Sequence, residues 1–139
     1  KTYLEWQKHY GLAEDYEMTA EEEGKMFDEF KTTLITDFPE MTSPFWNMSR
    51  YEDGIHSKKI DVILGGMETI GSAERSTNKD QMRDTFHSIT DGAYSKLLFD
   101  LFGKERVEAE LEEFLKFDFF PRVGGGIGMT RMIAALDTI

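Results

Sequence analysis

Apolar positions recur along this chain with two different periods, and the changes of period mark its elements. Lys1 to Tyr10 carries a helical pattern closed by Gly11. Thr19 with Glu22 has the spacing of a capping box, which predicts a helix over Thr19 to Thr32. Leu34 to Phe38 reads as a short strand stopped by Pro39, and Ser43 to Met48 as an extended segment. Asn78 is placed to cap a helix running to about Thr90, with Met82, Phe86 and Ile89 as its apolar stripe. Asp91-Gly92 interrupts that pattern, and two further helices, Tyr94 to Phe102 and Glu105 to Phe117, are divided by Gly103. No internal repeat or low-complexity segment is present.

The β pattern is clearest between Lys58 and Ser76. Lys59-Ile60-Asp61-Val62-Ile63-Leu64 and Met67-Glu68-Thr69-Ile70 flank a two-residue Gly65-Gly66 loop, the signature of a tight hairpin. That loop sets Leu64 opposite Met67 and Ile63 opposite Glu68. Side chains alternate between faces, so Ile60, Val62, Leu64, Met67 and Thr69 are expected on a core face. Asp61, Ile63, Glu68 and Ile70 take the other face, where Asp61 and Glu68 become diagonal neighbours. Arg75 lies an odd number of residues after Glu68, so an unbroken strand would send it to the far side. A bulge at Gly71 would return it to the Asp61/Glu68 face.

The second distinctive segment is Pro121-Arg122-Val123-Gly124-Gly125-Gly126-Ile127-Gly128-Met129-Thr130-Arg131, a Gly-rich turn before a helix-compatible run from Met129 to Leu136. Glycine admits close backbone approach, a helix N-terminus favours anions, and Arg131 in the first turn adds a forked cation suited to phosphate. The dinucleotide fingerprint does not fit, because its third glycine would fall at Met129. A P-loop does not fit either, because no lysine follows the glycines.

With 27 acidic against 16 basic residues the formal charge is −11, which excludes a general nucleic-acid binder by bulk electrostatics. Much of the acid lies between Glu14 and Glu29 and is expected on a solvated helix face. Cysteine is absent, so there is no disulfide framework or thiolate nucleophile. His9, His56 and His87 have no metal-ligand spacing. With no membrane-length apolar run and no signal-like start, a soluble cytoplasmic protein is the expectation. The opening inside a helical pattern and the end soon after the glycines suggest a piece of a larger catalytic domain. Two carboxylates on one open sheet face make a hard oxygen site. Magnesium takes one or two such groups and completes its octahedron with nucleotide phosphate and water. Arg75 could hold a carboxylate or carboxamide through its fork.

Taken together, Asp61-(six residues)-Glu68, Gly71-Ser72-Ala73-Glu74-Arg75 and the Gly-rich segment with Arg131 resemble the C-terminal half of a class II aminoacyl-tRNA synthetase core. The subclass is the aspartyl/asparaginyl type, with its asparagine synthetase A relatives. The resemblance runs from about Leu34 to the end and is sharpest at 58–76 and 121–136. It implies an α+β fold, an antiparallel sheet flanked by helices, with residues 1–139 forming the C-terminal part of the catalytic domain. It implies ATP-dependent activation of aspartate or asparagine as the aminoacyl-adenylate, most readily for transfer to tRNA. By position, Asp61 and Glu68 match the residues that bind magnesium and ATP. Gly71 and Arg75 match the amino acid site, with Arg75 reading the substrate side chain. Gly126 and Gly128 lie beside the adenosine, and Arg131 on the ATP phosphates is the catalytic arginine. The first and second motifs have no counterpart in these residues. A homodimer is therefore expected through the upstream part, and this stretch alone should be incomplete for catalysis. Thr130 stands where the ligases usually carry Asp or Glu, and Arg122 where histidine is usual. The triple glycine and Thr130 before Arg131 are similar to asparagine synthetase A, so a tRNA-independent enzyme using ammonia is an alternative. A non-catalytic paralogue acting as a binding or regulatory module is another.

Overall fold

The computed structural model describes residues 1–138. Helices α1 (Tyr3–His9) and α2 (Ala20–Phe30) each start on a reciprocal capping box, Thr2 with Glu5 and Thr19 with Glu22. The second box is the one anticipated from sequence. Four strands follow in a single antiparallel sheet of order β1-β2-β3-β4, formed by β1 (Thr32–Pro39), β2 (His56–Leu64), β3 (Met67–Arg75) and β4 (Arg122–Ile127). Between β3 and β4 the chain makes α3 (Lys79–Ser88), α4 (Ala93–Phe102) and α5 (Lys104–Leu115); α6 (Met129–Leu136) closes it. The fold is α+β, an antiparallel sheet with flanking helices. Among the described residues no helix is long and apolar enough to cross a membrane.

Two apolar cores hold these layers. Tyr3 and Trp6 of α1 and Met26 of α2 pack on Ile35, Phe38 and Ile63, covering the β1–β2 end of one sheet face. Met82, Phe86, Val107, Leu111 and Leu115 hold α3 against α5, with Trp46 from the β1–β2 connection inserted between them. Asn78 caps α3, and Gly103, at a φ of +85°, separates α4 from α5. Gly65 and Gly66 turn the hairpin with φ of +59° and +75°, as a type I′ loop requires. A Cβ on Gly65 would sit 2.9 Å from the Cα of Ala135, so this glycine also lets α6 dock on the hairpin tip.

The hairpin register begins as expected, Leu64 opposite Met67 and Ile63 opposite Glu68, and then shifts so that Val62 faces Ile70 and Asp61 faces Gly71. The extra residue is Thr69, so the bulge lies two positions before Gly71. Thr69 is buried and its hydroxyl lies within hydrogen-bond distance of the Leu64 and Met67 carbonyls, 3.3 and 3.1 Å away. Its hydroxyl compensates the broken ladder, which glycine could not do. The bulge has the anticipated consequence: Asp61, Glu68, Gly71 and Arg75 share one face.

Other expectations are corrected. The face that α1 and α2 cover is the Ile63 face, not that of Ile60, Val62 and Leu64; Ile63 is 1% exposed and Ile60 40%. Both faces of β2 are apolar, and only the docking of α1 and α2 decides between them. Residues 43–48 turn at Trp46 and Asn47 rather than running extended. The glycines that read as a turn form the regular strand β4. The acidic stretch is not wholly solvated, because Glu22 is buried in its capping box and Glu23 points to the sheet.

Candidate functional site

The site is built on a strip of sheet without side chains. Gly71 pairs with Gly126, Ala73 with Gly124 and Arg75 with Arg122, so these six residues lie on one face beside Asp61. Three glycines and an alanine leave the backbone of β3 and β4 bare there. A Cβ on Gly126 would meet nothing within 4 Å.

At one end of the floor two carboxylates converge. A Cβ on Gly71 would stand 2.7 Å from Glu68 Oε1 and 3.6 Å from Asp61 Oδ1. Asp61 is 4% exposed; its Oδ2 accepts from Lys59 Nζ at 2.6 Å, and its Oδ1 has no hydrogen-bond partner. Burial pushes the Asp61 carboxyl up to about 6; the charges of Glu68 and Glu23 add to this and Lys59 opposes it. Glu23, reaching over from α2, accepts the Glu68 backbone N–H at 3.0 Å. Its own pKa is raised, again by burial first and by Glu68, against the pull of that N–H, Arg131 and Lys59.

Arg131 closes this end. Its Nη1 donates to the Glu68 carbonyl at 2.7 Å, and the Gly128 N–H donates to the Thr69 carbonyl at 2.9 Å. The bulge therefore anchors the start of α6 beside the carboxylates. Gly128 supplies no side-chain cap, so the positive end of α6 stays open to a ligand. At the other end, Arg75 donates from Nη1 to Asn47 Oδ1 at 3.0 Å and from Nη2 to the Gly124 carbonyl at 3.1 Å.

Charge is placed selectively. Arg50, Arg83 and Arg106 pair with carboxylates, whereas among the described residues Arg75, Arg122 and Arg131 have none within 4.0 Å. All three border the glycine floor. In a chain of formal charge −11 this leaves a cationic rim around a bare strip, suited to an anionic ligand, with a hard-oxygen corner at Asp61 and Glu68.

The structure brings together Asp61, Glu68, Gly71, Arg75, Gly126, Gly128 and Arg131, every residue singled out from sequence. Three were missed as neighbours of the site: Glu23, Asn47 and the Arg75/Arg122 pair. The last was accessible, since pairing the glycines of β4 with Gly71 aligns the two arginines. Nothing in the sequence pattern pointed to Glu23 or Asn47. Among the described residues no group of three or more His, Cys, Asp or Glu side chains is placed to hold a metal ion. The pair alone, with Asp61 Oδ1 free, meets magnesium's modest demand for protein ligands.

Solved structures share this fold. Aspartyl tRNA synthetase from Entamoeba histolytica superposes with a TM-score of 0.73 at 19% identity, over 100% of this chain and 28% of that one. Asparaginyl-tRNA synthetase from Pyrococcus horikoshii, complexed with asparaginyl-adenylate, gives 0.73 at 18% identity, over 99% of this chain and 31% of that one. The Entamoeba histolytica asparaginyl-tRNA synthetase, also with asparaginyl-adenylate, gives 0.74 at 18% identity, over 97% and 31%. The chain thus spans under a third of the length of these proteins. Among curated proteins none matches it significantly. A family profile of tRNA synthetases class II (D, K and N) matches residues 2–138, and the chain belongs to that family.

Proposed function

We propose that this chain carries the ATP- and amino-acid-binding face of an enzyme that activates aspartate or asparagine as the aminoacyl-adenylate. One observation supports this above the others. The Thr69 bulge puts Arg75 on the same face as Asp61 and Glu68, and the same bulge anchors Arg131 at the opposite end of the glycine floor.

In this reading the nucleotide lies along Gly126, where a Cβ would meet nothing within 4 Å, and Gly128, beside the Arg131 side chain. Arg131 and the open end of α6 face its phosphates. Asp61 and Glu68 hold magnesium, which neutralises phosphate charge. Arg75 pairs with the side chain of the amino acid. An oxygen of the amino acid's α-carboxylate attacks the α-phosphorus, the bond to the β-phosphate oxygen breaks, and pyrophosphate leaves with that electron pair. No proton need be removed from a carboxylate already ionised, so this step calls for no general base. Catalysis is then mainly positioning and charge neutralisation. The complete enzyme passes the acyl group to the 3′ end of a tRNA and acts as a cytoplasmic homodimer assembled through segments outside this chain.

A second reading has ammonia take the acyl group. It is favoured by Thr130 before Arg131 and by Arg122 at the start of β4. The deciding experiment is ATP–pyrophosphate exchange by the full-length protein with aspartate and with asparagine, followed by product analysis with tRNA and with ammonia. Exchange dependent on one of these amino acids is expected. Its absence with both overturns the proposal, and asparagine formed from aspartate and ammonia selects the second reading.

A further inference from the structure

Arg75 is held in an unusual way for a chain this acidic. Its guanidinium is fixed by two neutral acceptors, Asn47 Oδ1 and the Gly124 carbonyl, and among the described residues no carboxylate lies within 4.0 Å of it. An arginine needing only a structural anchor is served as well by an acid, as Arg83 is by Asp80 and Glu112.

Asn47 is itself fixed. Its carbonyl accepts from the Ser76 N–H at 2.9 Å, Met48 bridges to the backbone of Arg75, and Ser49 donates to the Glu74 carbonyl at 2.8 Å. The loop is thus clipped to the end of β3, with the neighbouring Trp46 buried in the α3–α5 core. A guanidinium only donates, so the amide oxygen must face Arg75 and the amide nitrogen must point away from it. That nitrogen makes no hydrogen bond to the described residues. The clamp therefore aims Arg75 over the floor at Gly124 without neutralising it. A substrate carboxylate can pair with that whole charge through two N–H groups, whereas a carboxamide offers one acceptor and no charge.

We infer that Asn47 is a positioning residue for amino acid recognition, a neutral clamp that keeps Arg75 aimed and fully charged and so selects aspartate over asparagine. The inference rests on the assignment of Arg75 to the substrate side chain. An aspartate at position 47 would keep the geometry but occupy Arg75 with an internal ion pair.

The test uses the full-length protein and its Asn47→Asp, Asn47→Ala and Arg75→Ala variants in ATP–pyrophosphate exchange, with KM for amino acid and for ATP measured for each. The wild type is expected to favour aspartate at least about tenfold in kcat/KM. Asn47→Asp should raise KM for aspartate about 30-fold, with KM for ATP and Tm unchanged. Asn47→Ala should erode the preference for aspartate. If Arg75→Ala loses exchange while Asn47→Asp behaves as wild type, the clamp is overturned and the Arg75 assignment stands. If Arg75→Ala is also active, that assignment falls first. A wild-type preference for asparagine overturns the selectivity.

Discussion

The carboxylate of Glu68 lies over the Cα of Gly71, so close that a methyl group there would come within 2.7 Å of Oε1. The atom in the way is the far end of a flexible side chain, so Gly71→Ala should fold with a stability change of about 0.5 kcal/mol or less. What it should lose is the approach of Glu68 to Asp61. The magnesium concentration for half-maximal exchange should rise about tenfold, as it should in Glu68→Gln. Unchanged magnesium titrations in both variants would remove the pair from the cation site.

Gly125 and Gly126 are adjacent yet should respond oppositely. A Cβ on Gly125 would stand 2.7 Å from both the Gly71 carbonyl oxygen and Ser72 Cβ and 3.1 Å from Ser72 Cα, so backbone must give way. Gly125→Ala should destabilise the β3–β4 pairing by about 2 kcal/mol, seen as a lower Tm. Gly126→Ala has open space and should keep its Tm; if the nucleotide lies along this floor, its methyl group should raise KM for ATP. Equal thermal losses in the two variants would contradict this division.

The two motifs were legible because each is local. The Gly65-Gly66 loop fixes the register of Leu64 with Met67 by chain geometry alone, and glycine spacing with Arg131 marks the strand-to-helix junction. The Thr69 bulge was foreseen in its effect but misplaced at Gly71. Glycine signals where distortion is permitted, whereas the buried hydroxyl of Thr69 lies beside the carbonyls that distortion disturbs. Which face of β2 is covered was not legible, since Ile60 and Ile63 are equally apolar and the choice depends on α1 and α2 arriving from a distance. Glu23 and Asn47 were hidden for the same reason. They sit 45 and 28 residues from the groups they contact, Glu68 and Arg75, and nothing local distinguishes them from surface residues.

Away from the site, His87 ties α3 to α5 in a pH-dependent way. Its Nδ1 lies 2.8 Å from the Arg83 carbonyl and its Nε2 3.0 Å from Glu108 Oε1, two acceptors that only the doubly protonated ring satisfies. Burial lowers its pKa, but the Arg83 carbonyl and the Glu108 carboxylate outweigh that and the net shift is upward. A raised folded-state pKa stabilises fully below the unfolded value, about 6.5, and the contribution is lost as pH rises through the folded value. The His87 side chain is 38% exposed, so solvent screening limits the effect to a few tenths of a kcal/mol. Tm should therefore decline slightly more between pH 6 and 8 in the wild type than in His87→Gln, and parallel curves would show that the pair contributes nothing.

Arg131 separates charge from geometry at the α6 end of the floor. It is exposed and gives one N–H to the Glu68 carbonyl at 2.7 Å, so its other donors remain for a ligand. Arg131→Lys keeps the positive charge but replaces the planar fork with a compact ammonium on a shorter reach. It cannot hold the Glu68 carbonyl and a phosphate oxygen through one rigid group. If Arg131 acts on the phosphates of ATP, Arg131→Lys should lower kcat/KM for ATP about 100-fold, and Arg131→Ala further, with Tm unchanged in both. If the amino acid binds at the Arg75 end of the floor, its KM should change far less. Loss confined to Tm would make Arg131 a structural tether between α6 and β3, and a shift confined to the amino acid KM would place the phosphates elsewhere.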